Sequence, residues 1–125
     1  MTLCGWAQAV RDHGGLVFIT LRDRYGTTQV AMEPNTPGAS DIPRESTIMV
    51  AGKVALRPEG ARNPGMATGD IEVIASGVEL IGRAAPVLPV EVSDDRLANE
   101  ETRLRYRYID LRRPSLQSNQ AVRHR

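Results

Sequence analysis

Residues 16–32 read LVFITLRDRYGTTQVAM, and this stretch decides the fold. Its first part, Leu16–Arg22, and its last part, Thr27–Met32, are rich in strand-forming residues, and residues 23–26 between them carry turn chemistry. Because alternate residues of a strand share one face, the apolar stripe of the first strand consists of Val17, Ile19 and Leu21. The pattern predicts a β-hairpin with one face on a packed core.

Three further runs of this kind complete a set of five predicted strands, and they are Thr2–Val10, Thr47–Leu56 and Asp70–Ile81. Loop-forming residues lie between the strands at positions 11–15, 33–40 and 58–69. Asp41–Glu45 is predicted to form one helical turn. Five short strands at these spacings indicate an all-β fold, either a small barrel or a sandwich. The strand count favours a five-stranded OB-fold barrel.

Composition excludes several classes of protein. The chain has 125 residues, and its apolar residues, counted with glycine and without tyrosine, make up about 47% of them, which is typical of a packed globular domain. No apolar run approaches the roughly 18 residues of a transmembrane helix, and the N-terminus lacks the basic and apolar regions of a signal peptide. The single cysteine, Cys4, excludes an internal disulfide and a multi-cysteine zinc site, and it is expected to be a buried strand residue. We therefore expect a cytoplasmic protein.

Charge and turn residues divide the chain into regions. Residues 1–95 hold 8 basic and 12 acidic groups, whereas residues 96–125 hold 8 basic and 3 acidic groups. Residues 83–102 contain prolines and a polar run without a helical or strand pattern, so they are predicted to be a linker. Residues 103–125 are predicted to begin a second, partly helical region, with a helix start at Pro114-Ser115. The five strands then belong to a first domain at residues 1–82.

Strand alternation also predicts which side chains face away from the core. The outer face is predicted to carry Phe18, Gln29, Lys53, Arg57 and Glu72. The inward residues of the fourth strand are predicted to be Ile48, Val50, Val54 and Leu56. Since a ring can stack on a base, amide and carboxylate groups can bond base edges, and cations can contact phosphates, this outer face suits single-stranded nucleic acid. The alternative interpretation is an ordinary solvated sheet face with one exposed ring.

No catalytic or metal-binding arrangement accompanies this outer face. His13 and His124 are far apart in sequence and have no neighbouring ligand at metal-binding spacing. Residues 65–69 lack the ending of a phosphate-binding loop, and no Ser–His–Asp signature is present. The residues alone therefore predict a binding module with no catalytic residue and no metal ligand.

Three blocks of sequence resemble one known family. Residues 11–19 read RDHGGLVFI, residues 67–73 read ATGDIEV and residues 104–114 read LRYRYIDLRRP. Together and in this order they resemble the N-terminal anticodon-binding domain of bacterial-type aspartyl-tRNA synthetases, followed by the start of the catalytic domain. The resemblance implies an OB-fold anticodon-binding domain at residues 1–82, a linker at residues 83–102 and the beginning of a truncated class II catalytic domain at residues 103–125.

The resemblance also implies a function for a longer parent enzyme. That enzyme is an aspartate–tRNA ligase that activates aspartate with ATP and Mg²⁺, transfers it to tRNA and works as a cytoplasmic homodimer. The chain itself is expected to recognise the anticodon of tRNA(Asp), and that of tRNA(Asn) as well. Residues 103–125 contain none of the class II catalytic motifs, so this chain alone is expected to be inactive and to bind no cofactor.

The same resemblance assigns roles to single residues. Phe18 is expected to stack on an anticodon base, and Gln29 and Glu72 are expected to read base edges. The residues expected to contact the anticodon loop are Arg11, Arg44 and Arg57. Family members that charge both tRNA(Asp) and tRNA(Asn) tend to carry His and Gly at the positions that His13 and Gly60 match.

The chain departs from the family pattern at Ala9-Val10, where arginines usually precede Arg11. This removes two positive charges from the first turn. Two alternatives stay open on the sequence. One is a stand-alone OB-fold module that binds single-stranded nucleic acid without catalysis. The other is the corresponding part of an asparaginyl- or lysyl-tRNA synthetase.

Overall fold

A five-stranded barrel forms the first part of the computed structural model, which describes residues 1–39 and 41–124. The strands are β1 (Thr2–His13), β2 (Leu16–Arg22), β3 (Thr27–Met32), β4 (Thr47–Leu56) and β5 (Ile71–Gly82). A short 3-10 helix, Glu59–Ala61, lies between β4 and β5. The barrel closes in the order β1-β2-β3-β5-β4. All neighbouring strands are antiparallel except β3 and β5, which are parallel. This architecture confirms the predicted all-β barrel.

The hairpin between β1 and β2 is tighter than the sequence predicted. β1 continues to His13, and only Gly14 and Gly15 form the turn. Both glycines have positive φ, 66° and 94°, as two-residue hairpin turns require. The Gly15 amide donates a hydrogen bond to Asp12 Oδ1 at 2.9 Å. Arg11 and His13 therefore belong to a strand and not to a loop.

Aliphatic side chains from all five strands fill the barrel interior. Its fully buried members include Ile19, Val30, Met32, Ile48, Val50 and Val73. Leu21 is also buried, and Val17 packs against the cluster, which confirms the predicted stripe of β2. Burial of one such side chain stabilises a fold by about 1.5–3 kcal/mol, so this cluster is the main force that holds the strands together.

The expected burial of Val54 and Leu56 is wrong. Val54 is 51% exposed and Leu56 is 74% exposed. Both residues lie beyond Ala51, the last residue of β4 that pairs with β1. Gly52 still exchanges hydrogen bonds with Met1, and after it β4 pairs only with β5, so one edge of this segment has no neighbouring strand.

Two smaller expectations also fail. Cys4 is exposed, because it alternates with Leu3, which packs against the core. Asp41–Glu45 forms no helical turn, since Asp41 and Glu45 have positive φ of 54° and 64°. The buried Glu45 carboxylate instead receives two hydrogen bonds from the Arg22 guanidinium, at 2.9 and 2.7 Å, and this ion pair fixes the connection into β4.

Residues Val87–Arg125 form a second compact unit, separate from Met1–Pro86. Its helices are α1 (Glu100–Arg105), α2 (Arg107–Asp110) and α3 (Pro114–His124). Asn99 caps α1 by accepting a hydrogen bond from the Thr102 amide at 2.8 Å. A small apolar cluster contains Val90, Val92 and Ile109. Residues 90–92 lie within the predicted linker, and their valines are packed. No helix in the described part of the chain has the length and apolar character needed to cross a membrane.

A buried carboxylate holds this second unit together. Asp110 is fully buried and accepts hydrogen bonds from Arg113 Nε at 2.7 Å, Arg103 Nε at 3.2 Å and Arg107 Nη1 at 3.2 Å. Burial by itself raises the pKa of Asp110, but the hydrogen bonds from Arg113 and Arg103 outweigh it and hold the pKa below its usual value. The hydroxyl of Ser115 donates to Asp94 at 2.6 Å and thereby lowers the pKa of Asp94 as well.

The first prediction concerns Gly52, which leaves no room for a side chain between β4 and β5. A Cβ there would meet the Ile74 carbonyl oxygen and would lie 2.8 Å from Val73 Cγ1. Gly52→Ala should lower the free energy of unfolding by about 1–3 kcal/mol, measured by urea denaturation. Gly77→Ala is the matched control on β5, because a Cβ at Gly77 meets nothing within 4 Å. Equal stability of the two variants would contradict this close packing.

The second prediction concerns acid sensitivity of the helical unit. The lowered pKa values of Asp110 and Asp94 mean that the unfolded chain binds more protons, so the stabilisation is present above the ordinary pKa of 3.8 and is lost as the pH falls through the folded values. Helical circular dichroism should therefore decrease on acidification below about pH 4.

The matched variants for this second prediction are Asp110→Asn and Asp95→Asn. Asp110→Asn removes one of the two carboxylate partners of buried Arg113, which keeps its contact with Asp94 at 2.7 Å, so the free energy of unfolding should fall by about 1–3 kcal/mol and the helical signal at neutral pH should decrease. Asp95 is exposed, and its replacement should leave the signal unchanged. A helical signal in Asp110→Asn that equals the parent's would refute the role of this carboxylate.

Candidate nucleic-acid interface

A concavity of about 460 Å³ lies on the outer face of the barrel. β1, β2, β3 and β5 line it together with residues that follow β4. Its aromatic, polar and charged side chains are Arg11, His13, Phe18, Gln29, Glu33 and Glu72. Five of these six are residues that the sequence analysis selected, and the structure brings them together.

Phe18 supplies the aromatic surface of the concavity. It lies on β2 with Ile19, which is fully buried, so the ring belongs to the opposite, outer face of the strand. The ring is half-buried and packs edge-on against His13, with 5.9 Å between the ring centroids. Arg11 is the direct partner of Phe18 in the β1–β2 register. An aromatic ring, an imidazole and a guanidinium therefore meet at one end of the concavity.

Gln29 and Glu72 form a hydrogen-bonded pair within the concavity. The Gln29 amide donates to Glu72 Oε2 at 2.9 Å. The two residues are 43 positions apart and meet because β3 and β5 pair side by side. Among the described residues, the Gln29 carbonyl oxygen and the second Glu72 oxygen take part in no further hydrogen bond. The pair can therefore present both acceptors and an amide donor to a base edge.

The charges of the concavity indicate where a base and where a phosphate could bind. Glu33 and Glu72 would repel a phosphate, whereas carboxylates accept hydrogen bonds from base amino groups. Arg11 is exposed and forms no ion pair with any described residue, so its guanidinium is free for a phosphate. The arrangement suits a base inside the concavity and a phosphate at its Arg11 edge. The described residues contain no group of three or more histidine, cysteine or acidic side chains that could hold a metal ion.

The expectation that Arg57 faces outward is wrong. Arg57 is only 4% exposed and follows the last residue of β4. Its Nε donates to the Ile71 carbonyl oxygen at 2.8 Å, and its Nη2 contacts Met66 Sδ at 3.5 Å. Strand alternation does not apply here, because the strand has already ended. Arg57 therefore fixes the loop between β4 and β5.

Arg44 and Gly60 lie outside the lining of the concavity. Arg44 is exposed in the connection between β3 and β4, and its Nε donates to the Gln8 carbonyl oxygen at 2.9 Å. Gly60 is exposed in the 3-10 helix, and Pro58 and Ala61 beside it do line the concavity. Two outer-face residues that the sequence analysis did not select, Ala31 and Ile74, also line it. The same strand alternation could have identified them.

Comparisons with known proteins agree with this geometry. Residues 1–81 match the family model described as OB-fold nucleic acid binding domain. The aspartate--tRNA(Asp/Asn) ligase of Xanthobacter autotrophicus is 49% identical over 120 residues, which cover 94% of this chain and 19% of that protein. The ligase of the same name from Thermotoga maritima is 45% identical over 126 residues, which cover 98% of this chain and 21% of that protein. The chain thus spans about a fifth of the length of these curated relatives.

Solved structures share the fold. The aspartyl tRNA synthetase of Entamoeba histolytica superposes with a TM-score of 0.77 at 20% identity, covering 93% of this chain and 30% of that chain. The asparaginyl-tRNA synthetase of Pyrococcus horikoshii superposes with a TM-score of 0.72 at 27% identity, covering 91% of this chain and 26% of that chain. Since the family match covers well over half of the residues and the strands close into the corresponding barrel, this chain belongs to the family of OB-fold nucleic acid binding domains.

Proposed function

We propose that this chain recognises the anticodon of tRNA(Asp), and that of tRNA(Asn), as the N-terminal part of an aspartate–tRNA ligase. The observation that carries the proposal is the Gln29–Glu72 pair, which lies beside the Phe18 ring in one concavity of an OB-fold barrel. The aspartate--tRNA(Asp/Asn) ligases that match nearly the whole chain support the assignment.

In this proposal, Phe18 and the amide–carboxylate pair act on the same stretch of single-stranded RNA. A base stacks on the Phe18 ring, and the edge-on contact with His13 holds that ring in place. Glu72 accepts a hydrogen bond from a base N–H group, and Gln29 orients the carboxylate by donating to its other oxygen. A base that cannot donate there leaves a half-buried acceptor unpaired, so the pair favours particular bases.

The three predicted arginines act in different ways under the proposal. Arg11 contacts a phosphate directly, because it is exposed beside Phe18. Arg44 contacts the anticodon loop from the connection between β3 and β4. Arg57 acts as a positioning residue, because its guanidinium is buried and holds the loop that follows β4.

His13 and Gly60 are proposed to permit binding of both tRNAs. The two anticodons differ at their third base, and His13 lies in the concavity while Gly60 follows Pro58 at its edge. Gly60 has no side chain, and a Cβ added there would meet nothing within 4 Å, so the space beside it is open. The open space beside Gly60, at the edge of the concavity, accommodates the third anticodon base of either tRNA.

The remaining steps of the proposed activity belong to the longer enzyme. The compact unit that begins at Val87 is the beginning of the catalytic domain of that enzyme, so the connection to the barrel is shorter than the linker predicted at residues 83–102. That domain, in a cytoplasmic homodimer, uses ATP and Mg²⁺ to activate aspartate and transfers it to tRNA. This chain binds the anticodon and supplies no catalytic group, so on its own it is expected to bind tRNA without charging it.

The third prediction tests the stacking residue. Phe18→Ala should weaken binding of an aspartate anticodon stem-loop by about 1–3 kcal/mol, or roughly 5- to 150-fold, in a fluorescence anisotropy titration. Tyr25→Ala is the matched control, because Tyr25 is an exposed ring in the β2–β3 turn, outside the concavity. If Phe18→Ala binds as tightly as the parent, Phe18 does not belong to the site.

The fourth prediction tests tRNA choice. The parent chain should bind stem-loops with aspartate and asparagine anticodons with similar affinity and more tightly than a stem-loop with a lysine anticodon. His13→Leu should reduce binding of the asparagine stem-loop more than that of the aspartate stem-loop. Preference for the lysine anticodon would refute the aspartyl assignment. Strict preference for the aspartate anticodon in the parent would refute the proposed roles of His13 and Gly60 but not the aspartyl assignment.

A further inference from the structure

One row of paired residues crosses the outer face of all the strands. The registers link Arg11 on β1 to Phe18 on β2, Phe18 to Ala31 on β3, and Ala31 to Ile74 on β5. Ile74 in turn pairs with Lys53 on β4. Neighbouring strands are about 4.8 Å apart, so the four steps of the row follow roughly 19 Å of the curved barrel wall. A cation stands at each end of the row, and three uncharged side chains lie between.

The Lys53 end of the row opens into a second concavity. It has a volume of about 530 Å³, and Ile74 lines both this concavity and the one that holds Phe18. Small residues, among them Ala51, Gly52 and Ser76, form its floor. The β4–β5 register shifts between Ala51 and Gly52, a β-bulge of the kind that bends a sheet locally. The two concavities therefore lie next to each other, with the exposed side chain of Ile74 lining both.

The two concavities differ in charge. The first contains the carboxylates of Glu33 and Glu72, whereas no acidic side chain lines the second. Lys53 is exposed, is the single lysine of the chain, and forms no ion pair with any residue in the described ranges. A phosphate is thus repelled in the first concavity and attracted in the second.

We infer that the second concavity is a phosphate subsite, in which Lys53 binds the backbone of the RNA strand whose base stacks on Phe18. The inference rests on the proposed function, since it needs a single-stranded RNA on this face. The strand crosses the sheet along the row, with bases over Phe18 and Ile74 and phosphates at Arg11 and Lys53. The phosphate contacts add affinity and fix the register of the strand, but they do not distinguish one base sequence from another.

The fifth prediction uses Lys53→Met in the full chain. Loss of one phosphate contact to a single strand should make the plot of log affinity against log salt shallower by about 0.7. Binding should weaken by the same factor for aspartate and asparagine stem-loops, because Lys53 contacts no base. Lys53→Arg should restore both the slope and the affinity. Unfolding by urea should be unchanged in both variants, since the side chain is exposed.

Arg24→Met is the matched control for the loss of one positive charge. Arg24 is an exposed residue of the β2–β3 turn, outside both concavities, so its loss should leave the salt slope unchanged. An unchanged slope in Lys53→Met would overturn the subsite. An equal decrease in Arg24→Met would overturn it too, because overall charge would then explain the effect.

A series of stem-loops with one uncharged methylphosphonate linkage each would locate the contact. At one linkage near the stacked base, the substitution should weaken binding of the parent chain but have little further effect on Lys53→Met. Such non-additivity identifies direct partners. Additive effects at every linkage would refute the contact. If the parent prefers the aspartate and asparagine anticodons but no linkage couples to Lys53, the subsite fails alone. If the parent binds no RNA, the proposed function fails with it.

Discussion

The parallel contact between β3 and β5 is the constraint on which the rest of the molecule depends. It consists of the register pairs Val30–Val73 and Ala31–Ile74. Without it, β3 and β5 would be the two free edges of an open sheet, since every other pairing is antiparallel and runs around the remaining strands. Free edges invite pairing with other chains, so closure also protects the fold.

The same two pairs determine the interior and the outer face at once. Val30 and Val73 are buried in the core, whereas Ala31 and Ile74 line the outer concavity. Because side chains alternate along a strand, a shift of one residue would move the valines to solvent and the concavity residues to the core. Core packing therefore holds the register that places Gln29 beside Glu72. The stability of the barrel and the geometry of the candidate site therefore both depend on this one pairing.

Alternation along the sequence predicted the features that depend on one strand alone. It missed the features that depend on packing between separate segments of the chain. The bounds of β2, β3 and β4 and the outward position of Phe18 follow from alternation within single strands. The exposure of Val54 could not be predicted in this way, because it depends on where β1 stops covering β4. Arg57 is buried because the strand ends just before it. The packed valines at residues 90–92 carry no periodic pattern, and their burial depends on Ile109, which lies far along the chain.

The charge of the barrel limits the ways in which it would bind RNA under the proposed function. Residues 1–95 contain more acidic than basic groups, so general attraction and the release of many counterions contribute little there. Affinity must then come from stacking and from hydrogen bonds to base edges, both of which require an unpaired strand. The carboxylates of Glu33 and Glu72 would favour this mode of binding, because they repel a phosphate that enters the concavity in place of a base. Under the proposed function, Arg11 and Lys53 would therefore determine the direction and register of the RNA strand more than its overall affinity.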